Sequence, residues 1–297
     1  MTKNLAIGID IGGTKVAVGL VSSDGRVKDT IKVPSDVSSS EALFSCVVRA
    51  ANNLLQTNSI SIEDIIGIGV GLPGKVDVKN GIAIFQNNIP WENFPVVSRL
   101  KEAFGPIPIS VDNDVKVAAY AEYRLLDLPE DAMFGYITIS TGIAATNIVN
   151  NTILRGCGFA GEIGFMPVRS FDKPSSLEAS CSGPAIERYG QKLYADTTIT
   201  AEKVFAQWRD GDSTANIIVK NTLDGLVDAL HNMICLLDPK VIVLGGSVAL
   251  HNPDFVEKII LELRTRLHNE QVHILEHITL STIKGNNGVI GAAFLVL

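Results

Sequence analysis

Residues 7–15 read Ile7-Gly-Ile-Asp10-Ile-Gly12-Gly13-Thr14-Lys15, an acid and two glycines set between stretches that alternate like strands. Leu5, Ile7, Ile9 and Ile11 share one strand face, and Ala6, Gly8 and Asp10 share the other. The carboxylate therefore stands on a face of small residues, where a ligand has room. Lys15 to Val21 alternates again, Asp24-Gly25 is a hairpin signal, and Arg26 to Val33 returns as a third strand.

Strand and helix alternate from there on. Ser38, Ser39 or Ser40 caps a helix in which Leu43, Phe44, Val47, Val48, Ala51, Leu54 and Leu55 keep helical spacing. Ile65 to Val70 reads as a buried strand, and Ile107 to Val111 as another that runs into Asp112-Asn113-Asp114 and an alanine-rich helix, Val115 to Tyr123. A second unit follows, with strands Phe134 to Ser140 and Ile143 to Val149 and then a long irregular stretch, Arg155 to Ser182. Helices are expected at Pro184 to Tyr194, Thr214 to Leu237 and Pro253 to His268, with the parallel-type strand Val241 to Leu244 ending in Gly245-Gly246-Ser247. Two α/β units, each opening on strands and a glycine turn, predict two similar domains with a cleft between them.

The composition of the 297 residues, 46% hydrophobic and 19% charged, can bury large cores. A net charge of −7 without a basic run argues against DNA, RNA or anionic lipid as partners. Cys46, Cys157, Cys181 and Cys235 are scattered singly, which suits reduced thiols in the cytoplasm. The first residues lack the unbroken apolar core of a signal peptide. No apolar run reaches the roughly 18 residues a membrane span needs. The expectation is a soluble cytoplasmic protein with small-molecule ligands.

Glycine turns end four strands: Gly12-Gly13-Thr14, Gly69-Val-Gly71-Leu-Pro-Gly74, Thr141-Gly142 and Gly245-Gly246-Ser247. Without a Cβ the backbone N–H groups can approach a phosphate, although such turns are also ordinary loop chemistry. No GxxxxGK[ST] loop is present. Gly69 to Gly74 satisfies GxGxxG, but Lys75 to Ile84 then alternates like a strand with an Asn80-Gly81 turn, where a dinucleotide site needs a helix N-terminus. In Asp112-Asn113-Asp114 only one residue can serve as a helix cap. An Asn beside an Asp can hold neighbouring sugar hydroxyls while the carboxylate takes a proton. Glu162 and Glu178 lie in the irregular stretch, as solvated loop acids or as ligand contacts.

With these residues in place the chain resembles the ROK family of sugar kinases and sugar-responsive repressors, within the actin and hexokinase superfamily. The carrying stretches are Gly8 to Lys15, Gly71 to Gly74, Asn113-Asp114, Thr141-Gly142, Ala160-Gly161-Glu162-Ile-Gly164, Leu177-Glu178, Gly245-Gly246 and Asn287-Gly288-Val-Ile-Gly291. The resemblance implies an actin/hexokinase-like (ribonuclease H-like) α/β fold, with residues 1–115 and about 288–297 in a smaller domain and 116–287 in a larger one. It implies a glucokinase-like hexose kinase that uses ATP and Mg2+, with Asp114 as general base. By the same resemblance Asp10 is expected to orient the magnesium-bound triphosphate; Gly12, Gly13, Thr14 and Lys15, with Thr141 and Gly142, to form phosphate loops; and Gly245 and Gly246 to lie against adenosine. Gly71, Asn88, Asn113, Asp114, Glu162 and Glu178 are expected to bind the sugar. A homodimer is expected, with no nucleic acid or membrane partner. N-acetylmannosamine, fructose, allose and β-glucosides are alternative acceptors, and a sugar sensor without turnover is the alternative of another class. The helix-turn-helix of a repressor is not expected, since the glycine motif begins by residue 8.

Two departures stand out. The family's zinc histidine falls at Phe165, its cysteines fall at Phe171 to Ser176, and all five histidines lie beyond residue 230. No zinc is therefore expected, with Phe165, Met166 and Phe171 packing the stretch instead. Ser140, Ala144 and Ala145 or Thr146 replace glycines and could crowd a phosphate.

Overall fold

The computed structural model describes residues 3–283 and 285–297. The chain forms two compact units, residues 1–128 with 155–159 and 283–297, and residues 129–154 with 160–282.

In the first unit, β1 (Leu5–Ile11), β2 (Lys15–Ser22) and β3 (Val27–Pro34) form the antiparallel meander. Ser39 caps α1 (Ser40–Thr57) by accepting the Ala42 N–H, and the apolar stripe Leu43, Phe44, Val47, Ala51, Leu54 and Leu55 is buried. The chain then adds β4 (Ile68–Leu72), the small hairpin β5 (Lys75–Asp77) and β6 (Ile82–Phe85), α2 (Val96–Phe104), β7 (Ile109–Asn113) and α3 (Asp114–Leu125). The sheet order is β3-β2-β1-β4-β7, with β1, β4 and β7 parallel. Strands β4 and β7 begin three and two residues later than their apolar runs suggest. Ladder pairing, and not hydrophobicity, sets the limits: it starts at Ile68 and Ile109 and runs on to Leu72 and Asn113.

The second unit repeats this plan. Strands β8 (Phe134–Ile139), β9 (Ile143–Val149) and β10 (Thr152–Ile153) form its meander. The stretch expected to be irregular contains a hairpin, β11 (Pro167–Ser170) and β12 (Lys173–Ser176). Its turn carries no glycine: Phe171 and Asp172 both take positive φ, 47° and 62°, and the Asn221 side chain accepts the Phe171 N–H at 2.8 Å. A turn held from outside leaves little trace in local sequence. There follow α4 (Leu177–Cys181), α5 (Gly183–Tyr194), the unexpected α6 (Ala201–Arg209), capped by Thr200, and α7 (Ser213–Leu237). Then come β13 (Val241–Gly245), α8 (Ser247–Leu250), α9 (Pro253–Arg264) and β14 (Ile278–Leu280). The order β10-β9-β8-β13-β14 matches the first sheet position for position, with β8, β13 and β14 parallel. Val219, Leu226, Val227, Leu230, Met233 and Ile234 of α7 anchor this core.

The last helix, α10 (Asn287–Phe294), returns to the first unit. It lies almost on the sheet backbone: a Cβ on Gly8 would stand 1.9 Å from the Val289 carbonyl oxygen, and one on Gly69 would stand 1.7 Å from that of Ala292. Helix α3 also belongs to the first unit, so the division falls after Leu128, where the sequence reading cut the chain after residue 115. The physical reason is α10, which packs against α3 so closely that a Cβ on Gly291 would meet the Val117 carbonyl at 1.7 Å. No helix among the described residues is long and apolar enough to cross a membrane.

Candidate active site

The parallel strands of the first unit end in register. Asp10 pairs with Gly71, and Gly71 pairs in turn with Asp112, so one row across β1, β4 and β7 carries an acid, a glycine and an acid. Asn113 and Asp114 follow at the tip of β7. Carboxyl ends of parallel strands, where helices begin, are where open α/β sheets gather ligand contacts.

Asn113 is the N-cap of α3; its Oδ1 accepts the Val115 and Lys116 N–H groups and its Nδ2 donates to the Gly74 carbonyl at 3.1 Å. Asp114, the first helical residue, holds one carboxylate oxygen 2.9 Å from the Val115 N–H. Gly71 lies beneath it, with space for a Cβ closed by Val117. Burial pushes the Asp114 carboxyl above its usual range. Asp10 is raised to about 6, first by burial and then by the Asp114 charge, with Lys15 and Lys32 acting in the opposite direction. The Asp10 carboxylate also rests on the first turn of α10, where a Cβ on Gly288 would come within 2.5 Å of its Oδ2.

The loop after β1 is tied down before any ligand arrives. The Gly12 N–H donates to the Lys15 carbonyl at 2.9 Å, and the Ser35 hydroxyl donates to the Gly12 carbonyl at 2.6 Å. The Ser35 N–H donates to the Thr14 carbonyl. Thr14 and Lys15 are exposed. Asn88, assigned to the sugar in the sequence reading, lies against Gly13, where a Cβ would stand 2.7 Å from its carbonyl oxygen.

Six predicted residues lie in the second unit. Thr141 and Gly142 form the turn after β8, and Glu178 folds over it: its Oε2 accepts the Ile143 N–H at 2.9 Å and would lie 2.7 Å from a Cβ on Gly142. Gly164 also abuts Glu178, which brings the half-buried Glu162 turn to the same carboxylate. Gly245 and Gly246 end β13 beside the β8 turn, Gly246 at φ 84° with its α-carbon close on the Ile139 backbone. A cavity of about 480 Å³ opens next to them, lined by Glu202, Phe205, Ser247, His251 and Asn252. The Arg209 guanidinium at its edge is spent on Asp254 and Asn252.

The ROK family model matches residues 6–297. The chain belongs to the ROK family. It is 28% identical to a glucokinase of Halalkalibacterium halodurans over all of this chain and 96% of that one. Among solved structures it is similar to a ROK hexokinase from Thermus thermophilus, with a TM-score of 0.84 at 28% identity over 97% of this chain and 96% of that one. It is also similar to a ROK family glucokinase from Streptomyces griseus in complex with glucose and AMPPNP, with a TM-score of 0.75 at 26% identity and 98% of both chains covered. The fold is accordingly that of the ROK hexokinases.

Of the residues that replace glycines, Ala145 and Thr146 are buried in the second unit, Ala144 is half-buried, and the Ser140 hydroxyl lies 3.0 Å from that of Ser247. Phe165 does not pack as expected: it is 75% exposed. Val168, Leu177 and Cys181 fill the core there, while Phe171 only meets Tyr189 edge-on. No group of three or more metal-ligating side chains comes together among the described residues. Mg2+ brought by a nucleotide needs no such set, being held through phosphate, water and one or two carboxylates. The Asp10 carboxylate, raised by burial and by the neighbouring Asp114 charge, fits that role.

Sequence reasoning missed Ser35 and Arg155. The Arg155 Nε and Nη2 contact Asp112 Oδ2 at 3.0 and 2.5 Å. Ser35 sits 23 residues from Gly12, and no local pattern marks such a pin. An arginine after a strand in a glycine-rich segment was the one available signal for the other.

Proposed function

We propose that this protein is an ATP-dependent hexose kinase of glucokinase type, with Asp114 as the base that takes the proton from the attacking sugar hydroxyl. The observation that carries the reading is the row Asp10-Gly71-Asp112 with Asn113 and Asp114 at its end. It sets two half-buried carboxylates close enough for the Asp114 charge to add to the burial that raises Asp10, while burial raises Asp114 itself. A raised pKa suits a proton acceptor better than that of a free aspartate, and a cation relieves the repulsion. Asp10 holds the magnesium–triphosphate, and the Gly12 to Lys15 loop, stiffened by Ser35, donates N–H groups to its oxygens. Thr141 and Gly142 supply the second phosphate turn. The cavity beside Gly246 and Ser247 has the volume for adenosine, with Phe205 as its apolar wall. Glu162 and Glu178 accept from sugar hydroxyls, and Asn113 keeps one amide hydrogen to donate after its capping bonds.

Phosphoryl transfer asks chiefly for alignment and charge neutralisation, which such preset groups supply. The test is ADP release measured over glucose, N-acetylmannosamine, fructose, allose and cellobiose. Turnover with one sugar, cut about 10²–10⁴-fold in Asp114→Asn while calorimetric sugar binding persists, is the expected result. Sugar binding with no ADP from any acceptor would identify a sensor instead.

A further inference from the structure

The Asp112–Arg155 ion pair has no place in the chemistry above, and its position is unusual. The Asp112 side chain is only 2% exposed, at the row that ends β1, β4 and β7. One oxygen takes both Arg155 contacts, and the other accepts the N–H of Asn113 at 2.8 Å. Arg155 opens a five-residue excursion, 155–159, that packs with the first unit while the chain on either side belongs to the second. The excursion is fitted to its seat. The Arg155 carbonyl accepts the Gly158 N–H, the Lys75 ammonium stands 5.3 Å from the Phe159 ring centre, and Gly158 leaves room for the Lys75 stem. At Ala160 the chain re-enters the second unit, two residues before Glu162.

An ion pair with one buried partner adds little net stability compared with apolar packing, but it fixes geometry, because the buried Asp112 charge alone is costly. Here that geometry is shared by two segments. The carboxylate orients the peptide of Asn113, which caps the helix that begins at Asp114, and the guanidinium holds the excursion that leads to Glu162. We infer that Asp112 and Arg155 are positioning residues, a clamp that sets the Asn113-Asp114 turn and the 155–159 segment in place for sugar binding and transfer. The catalytic part of this inference rests on the kinase reading; the clamp itself does not.

The experiment compares Arg155→Met, Arg155→Lys, Asp112→Asn and the double variant Asp112→Asn/Arg155→Met in the full chain. Thermal melting, ADP-release kinetics and amide hydrogen exchange are measured on each. Arg155→Met strands a buried charge and lowers both Tm and kcat. The double variant removes that charge, so its Tm returns to within a few degrees of wild type, yet its kcat stays about tenfold or more low with the ATP KM within about twofold. Lysine lacks the planar fork and restores melting better than turnover. Exchange protection at Asn113 and Gly158 falls in the double variant, an outcome that needs no ligand and no activity. Recovery of kcat together with Tm, or unchanged protection at both amides, would overturn the clamp. A wild-type protein without turnover would overturn the kinase reading alone, and hydrogen exchange would still decide this one.

Discussion

At the scale of single residues the site is built by putting like charges where they cost energy. Asp10 has a folded-state pKa of about 6 against 3.8 for the free group. The native state therefore holds its proton to higher pH than the unfolded chain, and stability falls as pH rises from about 4 to 6, then levels off. Asp10→Asn removes that cost. Its Tm is expected to exceed that of wild type by several degrees at pH 7.5, the gap closing as pH falls towards 4, with a free-energy difference of about 1–3 kcal/mol. Melting curves of both proteins across pH check this; an equal or lower Tm for the variant at pH 7.5 would show that Asp10 is not strained. On the proposed kinase reading the same substitution is expected to abolish ADP release, because the carboxylate assigned to the magnesium–triphosphate is lost.

At the scale of elements, two devices hold the site in shape. The first is the Ser35 tether on the loop after β1. Ser35→Ala frees the Gly12 carbonyl and is expected to raise the ATP KM several-fold with little change in the sugar KM and a Tm loss of only a few degrees, since one hydrogen bond contributes about 1 kcal/mol. Equal shifts in both KM values would mean that the tether serves the whole unit. The second is the contact of α10 with bare strand backbone. Gly69→Ala forces a methyl group into the Ala292 carbonyl, so β4 and α10 must separate; urea unfolding should show a loss of about 1–3 kcal/mol or more. A neutral effect would mean that α10 can shift freely.

At the scale of the whole molecule, each unit repeats the same five-stranded order, but the first is completed by the last residues of the chain. Helix α10 buries Val289 against strands β1 and β2, made some 270–280 residues earlier, and sets the Phe294 ring against Arg124 of α3. A chain ending at Thr282 is expected to lose protected amides throughout β1, β4 and α3 while α7 and β13 keep theirs. Hydrogen exchange with mass spectrometry reads both regions in one experiment. Protection retained in β1 and β4 would show that α10 is an accessory of the first core.

Much of this was legible in the amino acids themselves. Alternation announced β1 and β2, the serines at 38–40 and the apolar stripe announced α1, and the acid before Gly12-Gly13 marked the loop, because short-range periodicity and turn chemistry act locally. Tertiary structure alone decided the rest. A Phe171-Asp172 turn is held by Asn221, the limits of β4 and β7 come from their neighbours, and Phe165 faces solvent although it is aromatic. Arg155 joins Asp112 across 43 residues. These are long-range contacts, and their energies depend on which surfaces meet, a quantity that no window of sequence contains.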